Sequence, residues 1–266
     1  MNGTGFSAAR AGSLPAAGEP LVAGVKLPPG RLVHPEGDGS TEVMWMTREP
    51  VVDLAGLWGT LSGVFADTGL WPLVLQSLEG QCDRPWDEGE LEPGESSDPD
   101  NVDVAMQLAE WWSDNVPDDD DGDEPAPFGS RFPGLAAEQW GPFDSKAAEA
   151  AVKDLPGRLG LVPVTRPADA VASIGWMGPA NYYGDMGLLS AVLRSWEDRF
   201  GAFVVGIGFD TLFISVGRPP ATDEDALAVA AEHFAVCPDN VWQNAVSFRD
   251  YAAEIKGRGV WTFWWD

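Results

Sequence analysis

The chain has 266 residues, and its 42 acidic and 16 basic residues give a formal net charge of −26. A chain of this length with 44% hydrophobic residues can bury a core large enough to fold without disulfide bonds. Its charge excludes electrostatic docking to nucleic acid or to an anionic membrane, because the attraction to phosphate would have the wrong sign.

Cysteine and histidine are too scarce for a disulfide or zinc framework. The chain has two cysteines, Cys82 and Cys237, with no CxxC spacing, and only His34 and His233 supply imidazole. We therefore expect no metal site and no cofactor, and we place the protein in a reducing cytoplasm. Charged residues and prolines interrupt every apolar run near the N-terminus, so we expect neither a signal peptide nor a membrane span.

The N-terminal region, residues 1–78, has the pattern of a β-α-β piece. Residues 43–46 and residues 71–75 are short apolar runs of the kind that form strands. Between them, residues 53–65 are predicted to form a helix, because their apolar side chains recur at helical spacing. These side chains are Leu54, Leu57, Trp58, Leu61 and Phe65.

Most of the acidic residues lie in a middle region, residues 79–154, which contains 22 acidic and 4 basic residues. Its densest run, residues 117–125, is bracketed by prolines and offers nothing apolar to bury, so we expect a disordered linker there. The spacing of its acids does not fit a calcium-binding loop. Residues 102–113 carry apolar side chains at helical spacing, so the region is predicted to be an acidic, partly disordered insert with one helix.

The C-terminal region, residues 155–266, alternates strands with helices. Strands are predicted at residues 159–164, 202–209, 212–216 and 260–265, and helices at residues 168–174, 189–200, 223–237 and 248–255. We expect Gly201 to end the second helix in a left-handed conformation and Thr222 to cap the third.

The last strand is rich in aromatic residues on both faces. Trp261, Phe263 and Trp265 share one face, and Trp264 lies on the other. Since so many exposed rings would make the chain insoluble, we expect this strand inside the sheet. The elements together predict an α+β fold, a mixed β-sheet flanked by helices, and leave open whether both halves of the chain share one sheet.

Several short motifs of the C-terminal region resemble one known family. They are LRSWEDRFG at residues 193–201, AEHF at 231–234, CPDNVWQ at 237–243, FWWD at 263–266, RPAD at 166–169 and GPAN at 178–181. Together they resemble the actinobacterial family catalogued as domain of unknown function four-two-five-three, over roughly residues 159–266. The resemblance implies a domain assignment and no particular activity.

The most reactive pair in the chain is His233 and Cys237, four residues apart on one predicted helix, with Asp239 just beyond to orient the imidazole. A nucleophilic site built on these three residues is one hypothesis. The alternative is a structural role, because Cys237 lies at the C-terminal end of its helix, where the helix dipole disfavours a thiolate.

Candidate binding residues lie in turns and after this helix. Asn181, Asp185 and Asp210 occupy turns, where polar groups on a rigid scaffold can form a site, although Asp185 can equally cap a helix and Asp210 can equally shape a hairpin. Asn240 and Trp242 follow Cys237 and complete the candidate set.

Three classes of function remain open at this stage. The first is a non-enzymatic protein-interaction module that binds a basic protein partner, for example as an immunity or antitoxin-like protein, and uses its charge for fast association. The second is a hydrolase or transferase that uses the residues near 233–240. The third is a nucleic-acid mimic, in which the acidic insert imitates phosphate.

Overall fold

The computed structural model describes residues 9–116, 126–140, 144, 146–245 and 247–266. The N-terminal region contains β1 (Leu21–Val22), β2 (Val25–Lys26), β3 (Gly30–Val33), β4 (Met44–Thr47), α1 (Leu54–Gly63), α2 (Phe65–Thr68) and β5 (Leu70–Leu75). The middle region contains a 3-10 turn (Pro99–Asn101), α3 (Val104–Asn115) and α4 (Ala147–Lys153).

The C-terminal region supplies the rest of the fold. It contains β6 (Arg158–Pro163), a 3-10 turn (Pro167–Asp169), α5 (Ala170–Ile174), α6 (Met186–Phe200), β7 (Ala202–Ile207), β8 (Thr211–Val216), α7 (Asp223–Val236), α8 (Asp239–Trp242), α9 (Phe248–Ile255) and β9 (Val260–Trp264). Gly201 follows α6 with a positive φ of 58°, and the side chain of Thr222 caps α7, as the sequence predicts.

One mixed sheet joins the two halves of the chain. Among the described residues it has seven strands in the order β3-β4-β6-β5-β7-β8-β9. Strand β6 lies between β4 and β5 and is antiparallel to both, so a strand of the C-terminal region enters the predicted N-terminal β-α-β piece. Strands β5 and β7 run parallel. The predicted fold class, an α+β fold with a mixed sheet flanked by helices, is confirmed.

Helices cover both faces of this sheet. On one face, α1 packs against β5, and Trp58 meets Trp71 edge to face at 5.5 Å. On the other face, Trp196 of α6 stacks on Phe263 of β9 with the ring centroids 5.4 Å apart. The core between the layers is therefore dominated by aromatic side chains, each of which buries a large apolar surface.

The last strand is not inside the sheet, and this expectation was wrong. In the part of the chain that the structure describes, strand β9 pairs only with β8 and so forms an edge of the sheet. Its Trp261 and Phe263 are buried against α6 and α7, whereas Val260 and Thr262 on the opposite face are exposed. One buried aromatic face is enough, because an antiparallel edge strand can leave its other face in water.

The described first part of the acidic region, residues 79–116, is docked on the C-terminal region, and we call it the acidic strap. The backbone N–H and the hydroxyl of Ser97 donate hydrogen bonds to Asp185 at 3.0 and 2.6 Å. Asp100 forms an ion pair with Arg194 at 2.6 Å. Helix α3 packs on α7, so the strap is part of the folded body. The run predicted to be a disordered linker, residues 117–125, lies outside the described residues, and the division into three regions remains a prediction.

Candidate functional site

His233 lies in an aromatic cage in the core. Its side chain on α7 is completely buried, and its ring contacts Trp196, Trp261 and Phe263 at centroid distances of 5.1, 4.5 and 4.8 Å. Nδ1 lies 3.0 Å from the hydroxyl of Tyr251, and Nε2 has no hydrogen-bond partner among the described residues. Burial lowers the pKa of His233 to about 3, because the cage cannot solvate an imidazolium. The imidazole is therefore neutral at physiological pH and has no contact with solvent.

Cys237 is the residue that ends α7, and it is equally enclosed. The residue is completely buried. Its thiol donates a hydrogen bond to the backbone carbonyl of Trp264, with Sγ 3.0 Å from the oxygen. Burial raises the pKa of the thiol far above its usual range. Since the thiolate is the nucleophilic form of cysteine, this environment suppresses the reactivity that a catalytic cysteine needs.

Asp239, the third residue of the hypothetical catalytic set, forms hydrogen bonds with Tyr182 and with the backbone of Asp266. Its Oδ2 accepts hydrogen bonds from the hydroxyl of Tyr182 at 2.7 Å and from the backbone N–H of Asp266 at 3.0 Å. In the described residues, no hydrogen bond joins the His233 ring to Cys237 or to Asp239. The geometry thus favours a structural role for all three side chains, and the catalytic role remains a prediction.

Two predicted binding residues also make structural contacts. Asp185 caps α6 by accepting a hydrogen bond from the N–H of Gly187, and the same carboxylate holds Ser97 of the acidic strap. Asn240 bonds to the backbone of β9 through both atoms of its amide group. Their hydrogen-bonding capacity is thus used within the fold.

The remaining three predicted binding residues reach the surface. Trp242 is 43% exposed and packs edge to face on Phe234. Asn181 and Asp210 line a common cavity of about 870 Å³, although they are far apart in sequence. This cavity is the site that the structure adds to the sequence analysis.

The cavity lies beyond the carboxyl ends of the parallel strands β5 and β7, an edge at which sheets of this kind often bind ligands. Each of the three regions of the chain contributes to it. Its lining consists of Glu36 and Gly37 from the N-terminal region; Arg84, Pro85 and residues 89–92 from the acidic strap; and residues 176–178, 180–181, 209–210 and 265–266 from the C-terminal region.

The lining of the cavity is acidic. It contains five carboxylate side chains, on Glu36, Glu90, Glu92, Asp210 and Asp266, and one basic side chain, Arg84. Arg84 is already paired with Glu90, with Nη2 2.7 Å from Oε1. Among the described residues, none of the other four carboxylates has an ion-pair partner. The cavity therefore carries an uncompensated negative charge.

Aromatic side chains form the rigid part of the wall. Trp176 donates a hydrogen bond from Nε1 to the carbonyl of Gly208 at 2.9 Å, and Trp265 donates one to the carbonyl of Val236 at 3.2 Å. The two rings meet edge to face at 5.5 Å. Phe209 completes this wall and lies below the guanidinium of Arg84, which is 4.7 Å from the ring centroid. Trp176 and Trp265 are only 1% and 2% exposed, so they fix the shape of this wall, and Phe209 supplies its more accessible ring.

Most of this lining is not predicted from the sequence. Arg84, Glu92 and Trp176 are not among the predicted site residues, and Trp265 is predicted only as part of a strand. One available signal was the position of residues 76–92 directly after a buried strand, since loops at strand ends commonly carry binding residues.

The described residues meet neither the requirements of a metal site nor those of a membrane-spanning helix. There, no group of three or more His, Cys, Asp or Glu side chains is arranged to hold a metal ion. None of the described helices combines the length and the hydropathy that crossing a membrane requires.

Comparison with known proteins gives one match. Residues 158–266 match the model of a family described as "Domain of unknown function (DUF4253)". No curated protein and no solved structure matches the chain significantly. The matched segment begins with β6 and ends with the last residue, so it includes α6, the buried His233 and the aromatic wall of the cavity. Residues 158–266 are therefore similar to the DUF4253 family, the family that the sequence motifs indicate.

Proposed function

We propose that this chain is a non-enzymatic protein-interaction module that binds a basic protein partner. The observation that carries this proposal is that the exposed acidic residues of the strap are held in fixed positions by its docking on the C-terminal region. Residues 79–116 contain twelve acidic residues and one basic residue, and most of these acids are exposed. Because the strap is bound to α6 and α7, its charges are held in place before a partner arrives, which lowers the entropic cost of binding.

The charge favours one kind of partner. A net charge of −26 repels nucleic acid and anionic lipid, whereas it accelerates association with a positively charged protein. An immunity or antitoxin-like role is a narrower proposal within this class. Two free thiols, one of them exposed, support a reducing compartment such as the cytoplasm, because disulfides are the rule in oxidising ones.

The other two classes have less support. A hydrolase or transferase at residues 233–240 would need a buried, neutral imidazole and a protonated thiol to react with a substrate that cannot reach them. A nucleic-acid mimic would depend on the densest acidic run, which lies outside the described residues. Neither class explains an acidic cavity with aromatic walls.

Affinity capture with a neutralised strap tests the proposal. The variant Glu79→Gln, Glu95→Gln, Glu110→Gln removes three exposed charges from the strap and leaves the cavity lining unchanged. The control variant Glu42→Gln, Glu149→Gln, Glu254→Gln changes the net charge equally at exposed positions elsewhere.

Each protein is immobilised and exposed to the native lysate at low and at high salt. We expect one basic protein to be retained by the native chain and the control at low salt, released as the salt rises, and retained several-fold less by the strap variant. Equal retention by both variants, or retention of no protein at all, would contradict the proposal.

A further inference from the structure

The cavity between the acidic strap and the C-terminal region has the size of a ligand pocket. Its volume of about 870 Å³ lies within the usual range of sites for small molecules, and it exceeds the volume of any single side chain. One side is formed by Trp176 and Trp265, which are almost fully buried and whose indole N–H groups are bonded to backbone carbonyls. The cavity can therefore enclose a protruding group of a partner.

The charges around the cavity select a cation. The carboxylates of Glu36 and Glu92 have no hydrogen-bond partner among the described residues, and both residues are exposed at the rim. Asp210 lies deeper, where it accepts a hydrogen bond from the indole N–H of Trp264 at 3.3 Å. A cationic group that enters would gain attraction from several carboxylates that no basic residue of the chain neutralises.

The contacts of Arg84 show how a guanidinium can bind to this lining. Its guanidinium lies over the ring of Phe209, and its Nε donates to both oxygens of Glu90 at 2.8 and 2.9 Å. A planar cation can thus contact an aromatic ring and a carboxylate in this lining at the same time. Lysine lacks the planar fork and is more strongly hydrated, so it gains less from such a wall.

We propose that this cavity receives an arginine side chain of the basic partner. The proposal rests on the proposed function and specifies the group that the partner inserts. The accessible apolar part of the lining contacts the stem of the arginine, and the carboxylates of Glu92 and Asp210 neutralise its charge. Buried arginine is a frequent anchor of protein interfaces, and a single anchor in a preformed cavity gives specificity to an association that long-range charge accelerates.

Labelled peptides test the chemistry of the inserted group. Three Gly-Ser peptides carry three arginines, three lysines or three citrullines at the same positions, and their binding to the full chain is followed by fluorescence polarisation at physiological salt. We expect the arginine peptide to bind at least about tenfold more tightly than the citrulline peptide, which has the same shape without the charge, and also more tightly than the lysine peptide. Equal binding of the arginine and lysine peptides would overturn the preference for a guanidinium.

Matched variants test the location. Glu92→Gln removes a carboxylate of the cavity, and Glu42→Gln removes an exposed carboxylate that lies outside the acidic strap and does not line the cavity. We expect Glu92→Gln to weaken binding of the arginine peptide about threefold and Glu42→Gln to leave it unchanged. Equal weakening by both would mean that only the overall charge matters, and it would overturn the proposal.

A second pair of variants changes volume and not charge. Ala180→Leu places a larger side chain at the cavity, and Ala253→Leu makes the same change on the exposed surface of α9. We expect Ala180→Leu to reduce binding of the arginine peptide severalfold and Ala253→Leu to have no effect. Circular dichroism confirms that each variant is folded, so a loss of binding reports on the cavity.

The failure of this proposal can be told apart from the failure of the proposed function. A partner captured equally by the native chain and by Glu92→Gln, together with no selective binding of the arginine peptide, would overturn the cavity proposal and leave the function intact. Free arginine amide that binds as tightly as the peptide would indicate a small-molecule site and overturn the assignment to a partner's side chain. Selective peptide binding that Glu92→Gln and Ala180→Leu weaken would support the cavity even if capture fails.

Discussion

The side-chain amide of Asn240 pairs with the backbone of Trp264, whose N–H donates to Oδ1 at 3.2 Å. The Nδ2 group of Asn240 donates to the carbonyl of Thr262 at 2.8 Å and to the hydroxyl of Tyr251 at 3.1 Å. One side chain therefore satisfies two outward-facing backbone groups of β9, as a neighbouring strand would. Edge strands with unpaired backbone groups invite association with other chains, and Asn240 closes this edge from within the fold.

We predict that Asn240→Ala destabilises the protein by about 2 to 4 kcal/mol, because it leaves two backbone groups without their partner and removes one of the two partners of the Tyr251 hydroxyl. Urea unfolding followed by tryptophan fluorescence measures the change. Asn244→Ala, at an exposed position on the same segment, serves as the control and should cost less than about 0.5 kcal/mol. If the two variants unfolded at the same urea concentration, Asn240 would not stabilise the edge.

The two cysteines should differ sharply in reactivity. Cys237 is buried with a raised pKa, whereas Cys82 is exposed. Treatment of the native protein with iodoacetamide should therefore modify one thiol, and peptide mass spectrometry should locate the label on Cys82. Addition of denaturant should make Cys237 react as well. Rapid alkylation of Cys237 in the native protein would instead support the nucleophilic hypothesis.

His233 should make the protein sensitive to acid. Its pKa is lowered from 6.5 in the unfolded chain to about 3 in the fold, so the unfolded state binds more protons between these values. The contribution of His233 to the free energy of unfolding is therefore greatest above pH 6.5, and it is lost as the pH falls towards 3. For this one group, we expect a loss of about 2 kcal/mol between pH 7 and pH 5.

The variant His233→Gln isolates this effect from the other titrating groups. Glutamine keeps a polar partner for the hydroxyl of Tyr251 and does not titrate. Chemical unfolding at pH 7 and pH 5 should show a smaller loss of stability in the variant than in the native chain, whatever the absolute stability of the variant; His233→Phe provides a second test if the glutamine variant fails to fold. Equal losses in the native chain and the variants would show that His233 does not carry the acid sensitivity.

Most elements of residues 158–266, the segment that matches DUF4253, could be predicted because local signals specify them. Helix α9 has the predicted bounds, and Gly201 ends α6 because its lack of a side chain permits a positive φ. The neighbours of a strand have no such local signal. Nothing in residues 158–163 indicates that β6 enters between β4 and β5, and nothing in the sequence of β9 indicates that it forms an edge. Strand pairing depends on contacts between distant parts of the chain.

The cavity was even less accessible to sequence reasoning. Asn181 and Asp210, which the sequence suggests as binding residues in turns, both line the cavity, although each is equally compatible with a structural role, and their binding of a ligand remains a prediction. Glu36, Arg84 and Trp265 come from distant segments, and only the folded sheet brings them together. Conversely, the close spacing of His233 and Cys237 suggested chemistry, and only their burial shows that both belong to the core.

The docking of the acidic strap can be tested by a pair of glycine substitutions. Gly187 lies in the first turn of α6, and a Cβ there would come within 2.0 Å of the carbonyl oxygen of Ser97. Gly59 lies in α1, and a Cβ there would meet no atom within 4 Å. Alanine is favoured over glycine in a helix by up to about 1 kcal/mol, so in the absence of other contacts both changes to alanine would stabilise the protein.

We therefore expect Gly59→Ala to raise the melting temperature slightly and Gly187→Ala to lower it, because the second change forces the strap away from α6. Hydrogen exchange followed by mass spectrometry should show faster exchange in residues 93–103 of Gly187→Ala and no change there in Gly59→Ala. Stabilisation by both substitutions, with unchanged exchange in the strap, would show that Ser97 does not pack against α6. Faster exchange confined to the strap would instead show that the acidic residues proposed to meet a partner are held in place by this contact.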